Sequence, residues 1–277
     1  MFKVPALLFL LTLLSTTPTL AAEYEKVQSL DETIRAANQG VIEAQNNLAM
    51  IHRDGLGVPR DYKAAIKWYR MAAEKGHAEA QYHLGMMFHD GKGVAKDDRE
   101  AIRWFRQSAE QGQAEAQVAL WEIHRRTDTQ EAQKWLRQAA EQGLAEAQYN
   151  LGIALRDGGQ GVEKEPQQAV SWLRKAADQE FAKAQTALAG LLAAGQGVEK
   201  DPVEAALWFN LAISQGDPAA LKKRAQLHKE MTPEQIKKAN TLAEQWTPPA
   251  LTKLSPAHQG GKNTDPAPTP PARTKSE

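Results

Sequence analysis

From residue 44 to residue 219 the apolar and small side chains of this chain return in a fixed order. An Ala-Gln pair opens each stretch, at Ala44-Gln45, Ala80-Gln81, Ala116-Gln117, Ala147-Gln148 and Ala184-Gln185. A leucine follows three residues later, and four beyond it stands a larger side chain: His52, Phe88, His124, Leu155 or Leu192. Residues at i and i+4 share one face of a helix, so this half of each stretch predicts an amphipathic helix. A glycine turn comes next, as in Asp90-Gly91-Lys92-Gly93-Val94. Glycine reaches positive φ without steric penalty, so such a turn stops one helix and redirects the chain. A second run then carries Trp68, Trp104, Trp135, Trp172 or Trp208, each with an alanine three residues before it and, in the first four, a small pair four and five residues after it. These tryptophans stand 36, 31, 37 and 36 residues apart. Self-similarity at that period predicts helix–turn–helix units, each needing a neighbour to complete its core. The alanines let the helices approach, and the tryptophan is expected to fill the gap they frame.

Local signals mark the helix ends. Asp97 with Glu100 is a capping-box-like pair, and Asp201-Pro202 puts proline at a first helical position. Gly76, Gly112, Gly143 and Gly216 end the second helices. Glu180 stands where the fourth unit should have that glycine. The expected units are 44–79, 80–115, 116–146, 147–183 and 184–219. Residues 23–43 read as an N-terminal capping half-repeat, with Asp31 to Glu43 as a lone second helix ending at Gly40. Residues 220–246 read as C-terminal capping helices, the last opened by Thr232-Pro233-Glu234-Gln235. The fold class expected is all-α, a solenoid of helix–turn–helix repeats.

Composition narrows the function. The 34 basic and 34 acidic residues balance, which does not favour a nucleic-acid partner. There is no cysteine, so no disulfide framework and no thiolate zinc site can form. Residues 1–22 read as a secretory signal, with Lys3, an apolar run from Ala6 to Leu14, and Thr19-Leu20-Ala21-Ala22 at the cleavage region. The run is too short for a comfortable span of ~20 residues, so no membrane span is expected after cleavage. The expected compartment is a bacterial periplasm, with release into the medium as the other outcome of export. Residues 247–277 hold seven of the fourteen prolines and almost no large apolar residue. They cannot offset ordering entropy by burial and read as a disordered tail.

The second unit, Ala80 to Gly112, carries nearly all of one pattern: Ala-x3-Leu-Gly-x2-aromatic-x2-Gly-x-Gly-Val-x2-Asp-x3-Ala-x2-Trp-aromatic-x2-Ala-Ala-x2-Gly. That pattern resembles the Sel-one-like repeat, a relative of the tetratricopeptide repeat, over about residues 30–246. The resemblance implies a right-handed tetratricopeptide-like superhelix and a non-catalytic adaptor or scaffold for protein partners, in signalling or envelope assembly. Some cysteine-rich members bind or hydrolyse β-lactams, so an envelope enzyme acting on cell wall or β-lactams is one alternative. A secreted factor meeting host proteins is another. The third unit departs from the pattern. Ile123-His124-Arg125-Arg126-Thr127-Asp128 replaces its glycine turn, and Trp121 stands where the family has a small residue. Trp121 either fills the space left by the short loop or anchors a partner.

On each first helix, positions 3, 7 and 10 counted from the opening alanine lie nearly opposite the core at 100° per residue. In tetratricopeptide-like arrays that side lines the concave groove. Position 3 gives Asn46, Tyr82, Val118, Tyr149 and Thr186; position 7 gives Met50, Met86, Glu122, Ile153 and Gly190; position 10 gives Arg53, His89, Arg125, Arg156 and Ala193. The expectation is an aromatic and methionine stripe (Tyr82, Tyr149, Met50, Met86) beside a cationic ladder (Arg53, His89, Arg125, Arg156). It would take an acidic or amphipathic protein segment. The competing reading pairs these arginines with the aspartates next to them. No constellation points to catalysis, a cofactor or a metal. The Gly-x-Gly turns follow helices rather than strands and lack a Gly-Lys-Ser/Thr run. His77, His83 and His89 are six apart, which is not a helical metal spacing.

Overall fold

The computed structural model describes residues 29–158 and 162–249. The expected leader and the tail beyond Pro249 lie outside them. Thirteen helices form among the described residues. Helix α1 covers 29–38. Five pairs follow: α2 (Ile42–Asp54) with α3 (Tyr62–Glu74), α4 (Ala78–Asp90) with α5 (Asp98–Glu110), α6 (Ala114–His124) with α7 (Thr129–Glu141), α8 (Ala145–Asp157) with α9 (Pro166–Ala177), and α10 (Ala182–Ala194) with α11 (Pro202–Ser214). Helices α12 (Pro218–His228) and α13 (Pro233–Gln245) close the array. From α2 to α12 each helix packs on its neighbours in the chain, and α13 passes over α12 to lie on α11. The result is an all-α solenoid. Ile42 and Glu43 begin α2 rather than prolonging the helix before it, because Gly40 turns the chain at φ +89°.

The pairs close by caps that the sequence carries openly. Gly55, Gly91 and Gly195 end first helices in the left-handed conformation. The side chains of Asp61, Asp97 and Asp201 each accept two backbone N–H groups at the start of the second helix. The backbone N–H of the same aspartates donates to His52, Phe88 and Leu192, tying each turn across its base. Thr232 and Gln235 form a true capping box. Glu100 does not complete one. Its carboxylate turns instead to Arg103 and the Trp104 indole.

The residue after each tryptophan is sealed between the paired helices even more completely than the tryptophan itself. Tyr69, Phe105, Leu136, Leu173 and Phe209 are 0–2% exposed. A Cβ on Gly85 would come within 2.7 Å of the Phe105 ring, and one on Gly152 within 2.7 Å of Leu173. The glycine therefore lets the second helix press its side chain against bare backbone of the first. One residue earlier on the helix is 100° around, so the tryptophan lies at the edge of the seam. Trp104, Trp135 and Trp208 are buried there, their indole N–H groups donating to Glu100, Glu131 and Glu204 one turn back. Trp68 and Trp172 have Ala64 and Gln168 at that place. They stay half-buried, with the Lys67 and Lys175 ammonium groups 5.7 and 4.0 Å from the ring centres.

Stacking of one unit on the next rests on the glutamine of the Ala-Gln pair. Gln45, Gln81, Gln117, Gln148 and Gln185 are all buried, and each donates at 3.0–3.2 Å to the carbonyl of the alanine eight residues before it. Those carbonyls belong to the last turn of the preceding helix, where each also accepts the backbone N–H three residues on in place of a regular helical bond. Lys75, Gln111, Gln142 and Gln179 donate to the oxygens of the first four glutamines. A second tie runs along the outer helices: Glu131 accepts from Arg106 as well as from Trp135, and Glu204 from Arg174 as well as from Trp208. Glu180 takes the helix-ending role of glycine at φ +62°, the sole non-glycine residue with positive φ among those described.

Candidate functional site

The groove side of the first helices is only partly open. At position 3, Asn46, Val118 and Thr186 are buried. Asn46 donates to Glu79 at 3.0 Å and Thr186 to Asp217 at 2.6 Å, both at the start of the next unit. That row is therefore used largely for stacking, except at Tyr82 and Tyr149, which stay half-buried. Tyr82 lies between His83 and Phe105, with ring centres 5.1 and 6.0 Å away, and Tyr149 meets Phe181 at 5.4 Å. Met50, Met86 and Ile153 line the next row half-buried, while Glu122 is exposed.

The cationic ladder is present in position but largely neutralised. Arg53 forks onto both Asp54 oxygens at 2.8 and 2.7 Å, and Arg156 onto both Asp157 oxygens at 2.6 and 2.7 Å. These bonds hold the Asp54 and Asp157 carboxyls below the usual aspartate range. His89 meets Asp98 at 2.9 Å, and Arg125 lies 5.5 Å over the ring of Trp121. Trp121 is itself only 9% exposed, so it is not the exposed anchor of the sharper expectation. Trp121 occupies the small-residue position of the third unit's first helix, and Leu136 replaces the aromatic ring on the second.

Tyr82, Met86 and Arg53 come together in a recess of about 360 Å³ between the first and second units. Arg60, Tyr62 and His83 share its wall, with Asp54, Asp90 and Lys92 at the mouth. His83 is half-buried, with Arg53 Nη1 3.1 Å from its Nδ1 and Glu79 3.7 Å from its Nε2. Burial, and then the Arg53 charge, push the His83 pKa down, with Glu79 opposing. Behind it the Tyr69 ring stands 5.3 Å from the imidazole, fully buried, its hydroxyl without a hydrogen-bond partner. Burial raises the pKa of that hydroxyl well above the usual tyrosine range. Arg60, Tyr62 and His83 were not anticipated from the sequence. A signal for Arg60 exists: Lys96, Lys164 and Lys200 hold the same place, two residues after the turn valine, wherever the glycine turn is kept.

No group of three or more His, Cys, Asp or Glu side chains among the described residues is arranged to hold a metal. No described helix is long and apolar enough to cross a membrane. The Sel1 repeat model matches residues 42–77, 78–113, 124–144, 145–181 and 182–217, in phase with the helix pairs and shortened where the third unit lacks its turn. The chain belongs to the Sel1 repeat family. Proteins with Sel1 repeats are generally scaffolds for protein interaction and typically not enzymes. A Sel1 repeat protein from Oxalobacter formigenes is similar at 32% identity and a TM-score of 0.68, over 72% of this chain and 59% of that one. The Escherichia coli protein c5321, described as a protective antigen in uropathogenic strains displaying the same repeat fold, is similar at 27% identity and a TM-score of 0.53, over 90% of this chain and 62% of that one. The chain thus spans about three fifths of the length of both. No curated protein matches it.

Proposed function

We infer that this Sel1 repeat chain is a non-catalytic adaptor, exported to the periplasm, that holds an acidic or amphipathic segment of a protein partner along its groove. The observation that carries this reading is the half-buried stripe of Tyr82, Met86, Tyr149 and Ile153, which the stacking of the units leaves unsealed. Aromatic and thioether side chains give adaptable apolar contact to a docked segment. The paired arginines then act as a polar border rather than as free charges.

The test is crosslinking in intact cells followed by mass spectrometry, comparing the wild type with a Tyr82→Ala, Tyr149→Ala double variant. Capture should fall at least about tenfold, as for loss of interface anchors, while helicity is retained. Unchanged capture by a folded double variant would remove the groove from consideration. Separating cells into periplasm and medium tests the compartment. A second reading, a secreted factor that meets host proteins, draws support from the likeness to the E. coli antigen over 90% of this chain. Accumulation in the medium would favour it.

A further inference from the structure

The recess between the first two units holds three arginine or lysine side chains, and two of them are already committed. Arg53 is forked onto Asp54, and Lys92 sits 2.8 Å from Asp90. Arg60 is exposed and has no carboxylate within ion-pair distance among the described residues. Its nearest polar contact is the Tyr62 hydroxyl at 3.5 Å, and it lies 5.9 Å from the centre of that ring. In two of the three other glycine-turn units the lysine at this place is paired, while Lys164 of the fourth unit, like Arg60, has no carboxylate within ion-pair distance among the described residues. Lys96 is 3.4 Å from Asp98, and Lys200 is 3.4 Å from Glu230.

His83 does not offset this imbalance. Its proton affinity is lowered by burial and by Arg53, so it adds no negative charge and little positive charge at neutral pH. The floor beside Arg60 is apolar, made by Met86, the buried Met87 and the Tyr82 ring. The recess therefore offers one uncommitted guanidinium next to a methionine and tyrosine surface. Three cations face two carboxylates. An arginine held beside apolar surface and aromatic hydroxyls binds a carboxylate through charge-assisted hydrogen bonds.

We propose that this recess reads one acidic side chain of the docked segment, with its carboxylate on Arg60 and an adjacent apolar side chain on Met86. This deepens the groove reading and rests on it. Arg53, the residue of the expected cationic ladder, is the fixed wall of the recess; Arg60, supplied by the turn, is the recognising group.

The experiment is selection of a random displayed-peptide library on the purified chain, followed by affinity measurement with a selected peptide. The expected result is enrichment of an aspartate or glutamate next to a large apolar residue. Arg60→Gln should weaken the selected peptide about tenfold, the loss of one charge-assisted hydrogen bond, and remove the acidic preference while keeping the apolar one. Replacing the acid in the peptide by its amide should weaken binding to the wild type and leave binding to Arg60→Gln unchanged. Enrichment without an acidic position, or an acidic preference that survives Arg60→Gln, overturns the proposal. Peptides lost on Tyr149→Ala but indifferent to Arg60→Gln would leave the groove standing and sink the recess alone. Peptides indifferent to Tyr82→Ala, Tyr149→Ala and Arg60→Gln, or no enrichment at all, would sink both.

Discussion

The two faces of the first helices obey different rules. On the core face the same residues recur with the same partners: five leucines that are 0–3% exposed and five glutamines bonded to five alanine carbonyls. On the groove face position 3 varies: Asn46, Val118 and Thr186 are buried, the first and last bonded to the next unit, and Tyr82 and Tyr149 stay half-buried against different rings. Stacking is a problem solved once and repeated, because every joint presents the same backbone carbonyls. The groove side is not repeated, as the proposed docking of a protein segment requires, since such a segment would present a different group at each step. Variation inside a strict repeat therefore points toward the ligand-facing side more directly than the repeat itself does.

The sharpest way to break this contrast is to remove a seam side chain. Phe105→Ala deletes a ring that is 1% exposed and pressed on Gly85, and should cost about 3–5 kcal/mol. The half-buried Tyr82→Ala should cost well under that in the same denaturant titration. Equal costs would show that the groove face is core.

A smaller effect is expected for the stacking ladder. Gln117→Leu keeps the volume but removes the side-chain bond to the Ala109 carbonyl, which keeps the backbone N–H of Gly112, and should cost about 1 kcal/mol. The same exchange at exposed Gln196 should be silent. A silent Gln117→Leu would mean that the ladder decorates the joints rather than holding them.

The third effect has the opposite sign. Glu180 sits at φ +62°, a conformation that costs a residue with a Cβ about 1 kcal/mol or more. Glu180→Gly should raise the melting temperature, and a fall would show that the Glu180 side chain has a stabilising contact of its own.

The smallest effect is a pH dependence. His83 faces Arg53 and Asp54 from α2, Tyr69 from α3, and Glu79 and Tyr82 from its own helix. Its folded pKa lies below the ordinary 6.5, so the native state binds its proton less readily than the unfolded chain. Stability is complete above the ordinary value and declines as pH falls from there toward the depressed folded value. His228 is shifted the same way by burial, so the diagnostic quantity is the difference between wild type and His83→Gln. The variant should lose part of the acid-side decline. An identical decline would remove His83 as its source.

Much of the fold was legible because each signal acts locally. Glycine turns, aspartate caps and the i, i+4 leucines decide where helices start, stop and face, and all of them reside within one unit. The tryptophan ladder told part of the packing, for a physical reason. The largest side chain draws attention, yet a gap between two close helices takes the residue pointed straight into it. That residue lies one step, or 100°, further round the helix. The recurring glutamine was visible but mute, since its acceptor belongs to the preceding unit's helix. The candidate site was less legible still. Position arithmetic placed Arg53, Tyr82 and Met86 on one face and left open whether Asp54 pairs with Arg53 and whether Trp121 is buried, and it gave no sign that Arg60 joins them from a turn.

Taken alone, the sequence determined the period, the helix ends, the all-α class and the side of each helix that meets the core. These depend on backbone preferences and hydrophobic spacing within a few turns of chain. The tertiary structure decided which residue fills each seam, what each glutamine bonds, and which cations remain free. Those outcomes depend on distances between units, and charge pairing and close packing are settled only when the neighbouring unit is in place.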